Sequence, residues 1–271
     1  MIVVEHIDSL DRPELEPYRT MRMQAEHRRQ GIFVAEGEKV VRRLLESPLT
    51  VVSVLLPEKW FYQFEPLLQA RPEQVQVYLA PKERLEQLTG FSMFQGVLAV
   101  GKVPAPLSLE ALLATCPRPC LLVAVDGLTN AENLGGLVRN CAALGAHGLL
   151  VGETSSSPFL RRAVRGSMGA IFRLPAVELD NLAEALRQLR HQGIRCLAAH
   201  PHAQGRRLSA TRLTGDCCLV FGSEGYGLAP NILAACDEPV AIPMAAGIDS
   251  LNVASAAAAF LYEAARQRGW V

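Results

Sequence analysis

No stretch of this chain offers the roughly 18–20 consecutive apolar residues that a membrane-spanning helix requires. The opening MIVVEHIDSLDRPE has early acids rather than a basic and then apolar signal pattern. We therefore expect a cytoplasmic protein with no membrane partner. Charge of one sign is lacking too: 27 Lys and Arg against 27 Asp and Glu leave a formal net charge of zero. Any anion must then be held by a local patch rather than by a general positive field. Seven cysteines, at 116, 120, 141, 196, 217, 218 and 236, are odd in number, and several fall inside apolar segments. That is the pattern of reduced, buried thiols, not of a disulfide framework. Cys116 and Cys120 have no second Cys/His pair at zinc spacing, so no metal is expected.

The familiar cofactor signatures are missing as well. No G-x-G-x-x-G follows the first strand, which argues against a dinucleotide-binding Rossmann start, and no G-x-x-x-x-G-K-[ST] phosphate loop occurs. A G-x-S-x-G elbow of the hydrolase kind is also absent, as are internal repeats and low-complexity segments.

What is present is apolar sequence enough for a sizeable core, 49% of 271 residues, in a length that accommodates two domains. Residues 1–102 read as a small α/β domain. Residues 18–30 look helical up to Gly31, 32–35 form a short strand, and another helix starts at Glu36-Gly37-Glu38-Lys39. Strands are expected at 51–56 and 75–79 around a helix at 66–70, with a last strand at 95–100. Between Arg19 and Arg43 the basic residues, Arg22, Arg28 and Arg29 among them, outnumber the acids. A solvated helix face and a phosphate-binding patch both account for this. Two prolines in Val103-Pro104-Ala105-Pro106 then open a linker over 103–119.

The remainder alternates. Strands are expected at 120–125, 148–151, 194–199, 217–221 and 240–242, and helices at 134–144, 159–167, 182–191 and 253–268. Residues 120–271 should thus form an α/β domain around a parallel sheet covered on both faces. Ligands of such sheets gather where strands end. The stretch 217–252 ends two strands in succession with unusual loops. Ser223-Glu224-Gly225-Tyr226-Gly227 puts a carboxylate among residues free to take positive φ and expose their N–H groups. Gly247-Ile248-Asp249-Ser250-Leu251-Asn252 clusters polar side chains before an alanine-rich helical run, where they cap the helix or face a ligand. Arg139 lies in an apolar helix six residues beyond Asn133. It either pairs with a core acid such as Asp126 or faces an anionic substrate.

Three segments occur in order: Asn133-x-Gly135-x-x-x-Arg139, then Val220-Phe221-Gly222-Ser223-Glu224-Gly225-x-Gly227-Leu228, then Ile242-Pro243-Met244 with Ser250-Leu251-Asn252-Val253. They closely resemble the three motifs of the SpoU/TrmH family of RNA ribose 2′-O-methyltransferases. Arg165-x-Ser167-x-Gly169-Ala170 before Leu174-Pro175 resembles a fourth segment common there, and the resemblance covers residues 120–268. More loosely, Arg28-Arg29, Phe33-Val34, Glu36-Gly37 and Gln95-Gly96-Val97 resemble the substrate-binding domain often fused ahead of that catalytic domain, a module akin to certain RNA-binding ribosomal proteins. Asp249 is a departure, since the family more often has Glu before Ser-Leu-Asn; the carboxylate is kept.

The resemblance implies an α/β fold whose C-terminal parallel-sheet domain carries a deep trefoil knot, preceded by a smaller α/β RNA-binding domain. It implies S-adenosyl-L-methionine as cofactor, held in the knotted loops by Ala199, His200, Phe221, Gly222, Gly227, Ile242, Met244 and Leu251. It also implies a homodimer formed partly on the last helix, where the alanines of 253–262 would permit close helix approach. Arg139 matches the catalytic arginine. Asn133, Ser250 and Asn252 match positions that orient the arginine or the ribose, and Glu224 matches the acid of the second motif. Asn252 equally suits a helix cap, and Glu224 a tie across the glycine loop. Arg22, Arg28, Arg29 and Arg165 would hold RNA. The reaction expected is methyl transfer to a ribose 2′-hydroxyl of rRNA. The alternatives are tRNA as the substrate, a base as the acceptor, or a non-catalytic RNA-binding factor in ribosome assembly.

Overall fold

Left-handed glycines set the first turns. In the computed structural model, which describes residues 1–89, 96–201 and 206–271, Gly31 (φ 63°) ends a helix and Gly37 (φ 97°) separates a strand from the helix after it. Such angles carry no steric cost for glycine. The chain forms two compact units, Met1–Ala105 with Phe159–Arg173, and Pro106–Pro158 with Leu174–Val271.

The first unit runs β1 (Ile2–His6), α1 (Glu16–Arg19), α2 (Gln24–Gln30), β2 (Ile32–Glu36), α3 (Glu38–Leu45), β3 (Val51–Leu56), α4 (Glu58–Gln69), β4 (Val75–Leu79), α5 (Lys82–Thr89) and β5 (Leu98–Lys102). Its sheet has the order β1-β4-β3-β5-β2. Strand β4 is parallel to β1 and β3, and β5 is antiparallel to β3 and β2. The second unit begins with α6 (Leu109–Thr115), β6 (Leu121–Val125), α7 (Ala131–Ala143) and β7 (Gly148–Val151). Phe159–Arg173, grouped with the first unit, holds α8 (Arg161–Gly166). The second unit resumes with β8 (Ala176–Glu178), α9 (Leu182–His191), β9 (Arg195–Ala199), β10 (Cys217–Phe221), α10 (Pro230–Ala235), β11 (Glu238–Val240) and α11 (Val253–Gln267).

All six strands of the second sheet are parallel, in the order β11-β9-β10-β6-β7-β8. Successive side chains of a strand point to opposite faces. Leu122, Ala124, Cys196, Ala198, Cys218 and Val220 accordingly join α6, α9 and α10 in one apolar cluster. On the other face Phe221 meets Phe260 of α11 edge to face, with ring centroids 5.5 Å apart. Strand β10 fits between β9 and β6 and hydrogen-bonds to both. It is fully buried, and so is β6. The expected α/β architecture, a parallel-sheet unit with a smaller N-terminal unit, is the one observed.

Several local expectations differ from what the chain does. The helix expected over 18–30 is two, because Thr20 Oγ1 donates to Glu16 O (2.8 Å) at the end of α1, and Met23 then leaves helical geometry. Glu36 ends a strand rather than beginning a helix. Helix α4 extends well before the expected 66–70 and passes through Pro66. The linker expected over 103–119 contains α6, capped where Ala111 N–H donates to Ser108 Oγ (3.1 Å), with Leu109 and Leu112 in the second-unit core. Strand β11 stops at Val240 because Ala241 bonds elsewhere: its N–H donates to Arg206 O and its carbonyl accepts from Leu208 N–H. The short strands β1 and β8 and helix α5 were not foreseen. Gln95 lies outside the described residues.

Residues 159–173, expected in the second domain, have their own anchors in the first unit. Phe33 packs against Phe159 and Phe172, both with centroids 5.4 Å away. Glu36, only 8% exposed, accepts from Arg161 and, at 3.1 Å, from Arg165. Gly101 faces Phe33 from β5, where a Cβ would stand 2.5 Å from the ring.

Arg71, just past α4, locks the end of that helix to the connection between α3 and β3. Its buried guanidinium donates to the carbonyls of Leu45 (2.9 Å), Ser47 (2.6 Å) and Leu49 (2.6 Å) and to Glu73 (2.7 Å). Removing one member of such a buried set leaves the others unpaired, at a cost of about 3–5 kcal/mol. We expect Arg71→Ala to lose about that much stability in urea unfolding. Arg71→Lys should recover only part of it, since a single ammonium cannot reproduce the planar fork.

Candidate active site

The glycine loop after β10 closes on itself. Ser223 N–H donates to Gly227 O and Gly227 N–H to Ser223 O, both at 2.9 Å, and Gly227 has φ 68°. Tyr226 N–H donates to Ser223 Oγ (3.2 Å). The turn is tight enough that a Cβ on Gly222 would lie 2.2 Å from the carbonyl carbon of Gly227. Position 222 therefore admits only glycine without moving the backbone. The far end of the loop is held by Asp126, which is buried at the end of β6. Its carboxylate accepts from Ala229 N–H (2.8 Å) and Thr154 Oγ1 (3.0 Å). Asp126 thus serves the loop and is not the partner of Arg139.

Three sequence-predicted polar residues meet beside this loop. Asn133 Nδ2 donates to Glu224 Oε1 (2.5 Å), and Asn252 Nδ2 donates both to Glu224 Oε1 (2.7 Å) and to Asn133 Oδ1 (3.1 Å). Asn252 also caps α11, its Oδ1 accepting from the N–H groups of Ala254 (2.9 Å) and Ser255 (3.4 Å). Backbone N–H groups only donate, so the cap fixes which end of the amide is oxygen and sends the nitrogen toward Glu224. At the start of α7, Asn130 caps in the same way, accepting from Glu132 and Asn133 N–H. Helices α7 and α11 come close because Gly136 faces Ala254, where a Cβ would make a tight 3.2 Å contact, and Asn140 Nδ2 donates to Ala254 O (2.7 Å).

Next to this network is a cleft of about 480 Å³ at the strand ends of the second sheet. All eight positions expected to meet the cofactor line it: Ala199, His200, Phe221, Gly222, Gly227, Ile242, Met244 and Leu251. Glu224 and Ser250 line it as well. Leu228, Val240, Ala256 and Phe260 add apolar wall, and Asp249 and Tyr226 also contribute. Ala256 and Phe260 were not singled out from the sequence, although their i, i+4 spacing just after the Asn252 cap puts them on one face of α11.

Arg139 stands apart. It is exposed, makes no hydrogen bond or ion pair among the described residues, and is not a lining residue of the cleft. Six residues of α-helix turn it about 120° from Asn133, so one chain does not bring the two together. In the first unit, Arg22, Arg28 and Arg29 are exposed, with Arg29 paired to Glu26 at 2.7 Å. Arg165 is half-exposed and tied to Glu36.

Among the described residues no three His, Cys, Asp or Glu side chains are grouped to hold a metal, and no helix is long and apolar enough to cross a membrane. The seven cysteines are unpaired, and all but Cys116 are buried. Burial pushes the Cys120 and Cys236 thiols up to about 12.

A parallel α/β unit with a glycine-walled cleft at its strand ends is the class of structure to which the comparisons lead. Residues 120–262 match the SpoU rRNA Methylase family, and the chain belongs to that family. It is 37% identical over 190 residues to the 23S rRNA (guanosine-2′-O-)-methyltransferase RlmB of a Burkholderia species, a match covering 70% of this chain and 76% of that protein. It is 33% identical over 240 residues to an uncharacterized tRNA/rRNA methyltransferase of Mycobacterium leprae, covering 88% and 71% respectively. Among solved structures, the SpoU methyltransferase AviRb from Streptomyces viridochromogenes in complex with the cofactor AdoMet superposes with a TM-score of 0.82 at 26% identity, over 95% of this chain and 98% of that one.

Gly222→Ala must displace Gly227, so S-adenosyl-L-methionine affinity measured by calorimetry should fall at least about tenfold, while core stability changes little. Asn252→Asp keeps the cap oxygen but sets a second carboxylate against Glu224. The pair then shares one proton more readily than it ionises twice. Turnover of this variant should fall about tenfold at neutral pH and recover in part as pH is lowered, with wild type showing no such recovery.

Proposed function

We propose that this chain transfers the methyl group of S-adenosyl-L-methionine to a ribose 2′-hydroxyl of rRNA. The observation that carries the reading is the cleft of the second unit. Its glycine loop and apolar walls adjoin the Asn133–Glu224–Asn252 network, which supports that reading. The cleft volume falls within the roughly 300–1,000 Å³ typical of small-molecule sites. Phe221, Leu228, Val240 and Phe260 suit the apolar faces of an adenosine, and the loop that Gly222 allows leaves backbone groups open to its polar edges. When bound, the cofactor supplies an activated methyl on a sulfonium.

What the chain must supply is control of the ribose. A 2′-hydroxyl is barely ionised at neutral pH, so its oxygen needs a positive neighbour as its proton leaves. We assign that role to Arg139, whose guanidinium stays charged. Asn133, Asn252 and Glu224 hold one another in a fixed orientation, and Ser250 lies at the cleft wall beside them. This order costs nothing at the moment of reaction, which is where preorganised groups act best.

A homodimer belongs to this reading. Arg139 is outside the lining of its own chain's cleft, and a second copy gives it a cleft to serve. Of the alanines at 253–262 only Ala257 is buried within the chain, and Ala254, Ala256, Ala258 and Ala259 stay partly open on α11. We place rRNA ahead of tRNA as substrate because the Burkholderia relative is named for 23S rRNA, and the enzyme in the cytoplasm, where seven unpaired thiols stay reduced. Arg22, Arg28 and Arg29 on α2 and its approach, with Arg165, form the basic surface offered to RNA.

Labelled S-adenosyl-L-methionine incubated with the protein and deproteinised ribosomal RNA should yield a labelled 2′-O-methylnucleoside. Arg139→Ala should lower turnover by about 10²–10³, with cofactor affinity unchanged. Near-normal turnover would remove Arg139 from the mechanism.

A further inference from the structure

The tip of the glycine loop carries a side chain to which the reaction above assigns no role. Tyr226 is 97% exposed, the most open of the large hydrophobic residues described, ahead of Tyr62 (65%) and Tyr262 (55%), while Tyr18 and Tyr78 are buried. An aromatic ring normally gains by burial, and two other apolar side chains near the same cleft, Ile248 (57%) and Leu251 (43%), are left open as well. The ring's support is not loose. Its own N–H is tied to Ser223 Oγ at 3.2 Å, and the paired Ser223 and Gly227 bonds close the loop beneath it. Glu224, two residues away, is held by Asn133 and Asn252. A flat aromatic surface is thus presented to solvent at the lip of the cleft, on a loop fixed by five hydrogen bonds, the two Ser223–Gly227 bonds, the Tyr226–Ser223 bond and the two that hold Glu224.

We propose that Tyr226 is the stacking platform for an unpaired base of the RNA substrate, the base of the nucleotide whose ribose enters the cleft. Unstacked bases in single-stranded RNA are characteristically received on aromatic side chains. A π-face accepts any base, so Tyr226 contributes affinity and orientation rather than sequence identity. Tyr226 contributes to the cleft lining, but a ring that is 97% exposed lies at its lip and is poorly placed to wall in the cofactor, since small-ligand sites bury most of their ligand. The polymer arriving from solvent is the occupant that can cover it. The proposal rests on the methyltransferase reading of the cleft, and its test does not depend on turnover.

The test uses the full chain saturated with S-adenosylhomocysteine, and fragmented, end-labelled ribosomal RNA as the probe in filter binding. Tyr226→Ala should weaken RNA binding about 5- to 150-fold, the range of one lost base stack. Tyr226→Phe and Tyr226→Trp should stay within about twofold of wild type, since the ring and not the hydroxyl is needed. S-adenosylhomocysteine affinity and the sedimentation coefficient should be the same in all four proteins. The proposal is overturned by RNA binding that is unchanged in Tyr226→Ala. It is overturned equally by loss of S-adenosylhomocysteine affinity, which would make the ring part of the cofactor site, or by a change of oligomeric state, which would make it part of a subunit contact. If the stacking series behaves as expected and wild type transfers no methyl to the same RNA, the ring still binds RNA, but its assignment to the nucleotide whose ribose enters the cleft is overturned together with the reaction.

Discussion

The amide of Asn252 works in two directions, and the second unit depends on its doing so. Its oxygen starts α11 by accepting two backbone N–H groups, and its nitrogen reaches Glu224 and Asn133. Helix start, glycine loop and the first turn of α7 are thereby set by one planar group with no freedom to flip. A helix cap is usually worth about 1 kcal/mol. Here the same atoms also decide where a carboxylate in the loop points, so a modest stability term carries a positional constraint much larger than its energy.

That constraint has value only because the strands deliver their ends to one place. Strand β10 lies between β9 and β6, and its C-terminal residue, Phe221, is the first wall of the cleft. Asp126, at the end of the neighbouring β6, holds the loop's exit through Ala229. The loop is pinned at its root by sheet pairing, at its middle by Asn133 and Asn252, and at its exit by Asp126. A site on a loop is seldom so fully restrained.

Much of this was legible in the sequence. Short apolar runs read correctly as buried parallel strands at 217–221 and 148–151, since both faces of such a strand are covered and alternation disappears. The family resemblance led to the eight positions that line the cleft, and the glycine at 222 and the capping asparagine at 252 leave chemical traces of their own in the sequence. What was not legible depended on tertiary partners. Ser108 and Leu109 begin a helix just after prolines that read as linker, because burial of Leu109 and Leu112 outweighs the local signal. Pro66 is carried inside α4 for a similar reason, with Phe64 and Leu68 buried on either side of it. Asp126 left its choice of partner open, since nothing in sequence spacing places it next to Ala229. The side of α7 on which Arg139 falls follows from helix geometry.

The pairing of Glu36 with Arg161 and Arg165 bears on how the first unit meets a polyanion. Arg165 already has a carboxylate on its guanidinium, and Arg29 has Glu26. An arriving phosphate must compete with a carboxylate that is part of the same chain, so these two arginines neutralise fewer phosphates, and free fewer of the nucleic acid's condensed cations, than their number implies. For nucleic acids the slope of affinity against salt counts the ions set free. The basic surface of this unit should therefore be read by its uncompensated charge, and an arginine tally overstates how steeply RNA affinity falls as ionic strength rises.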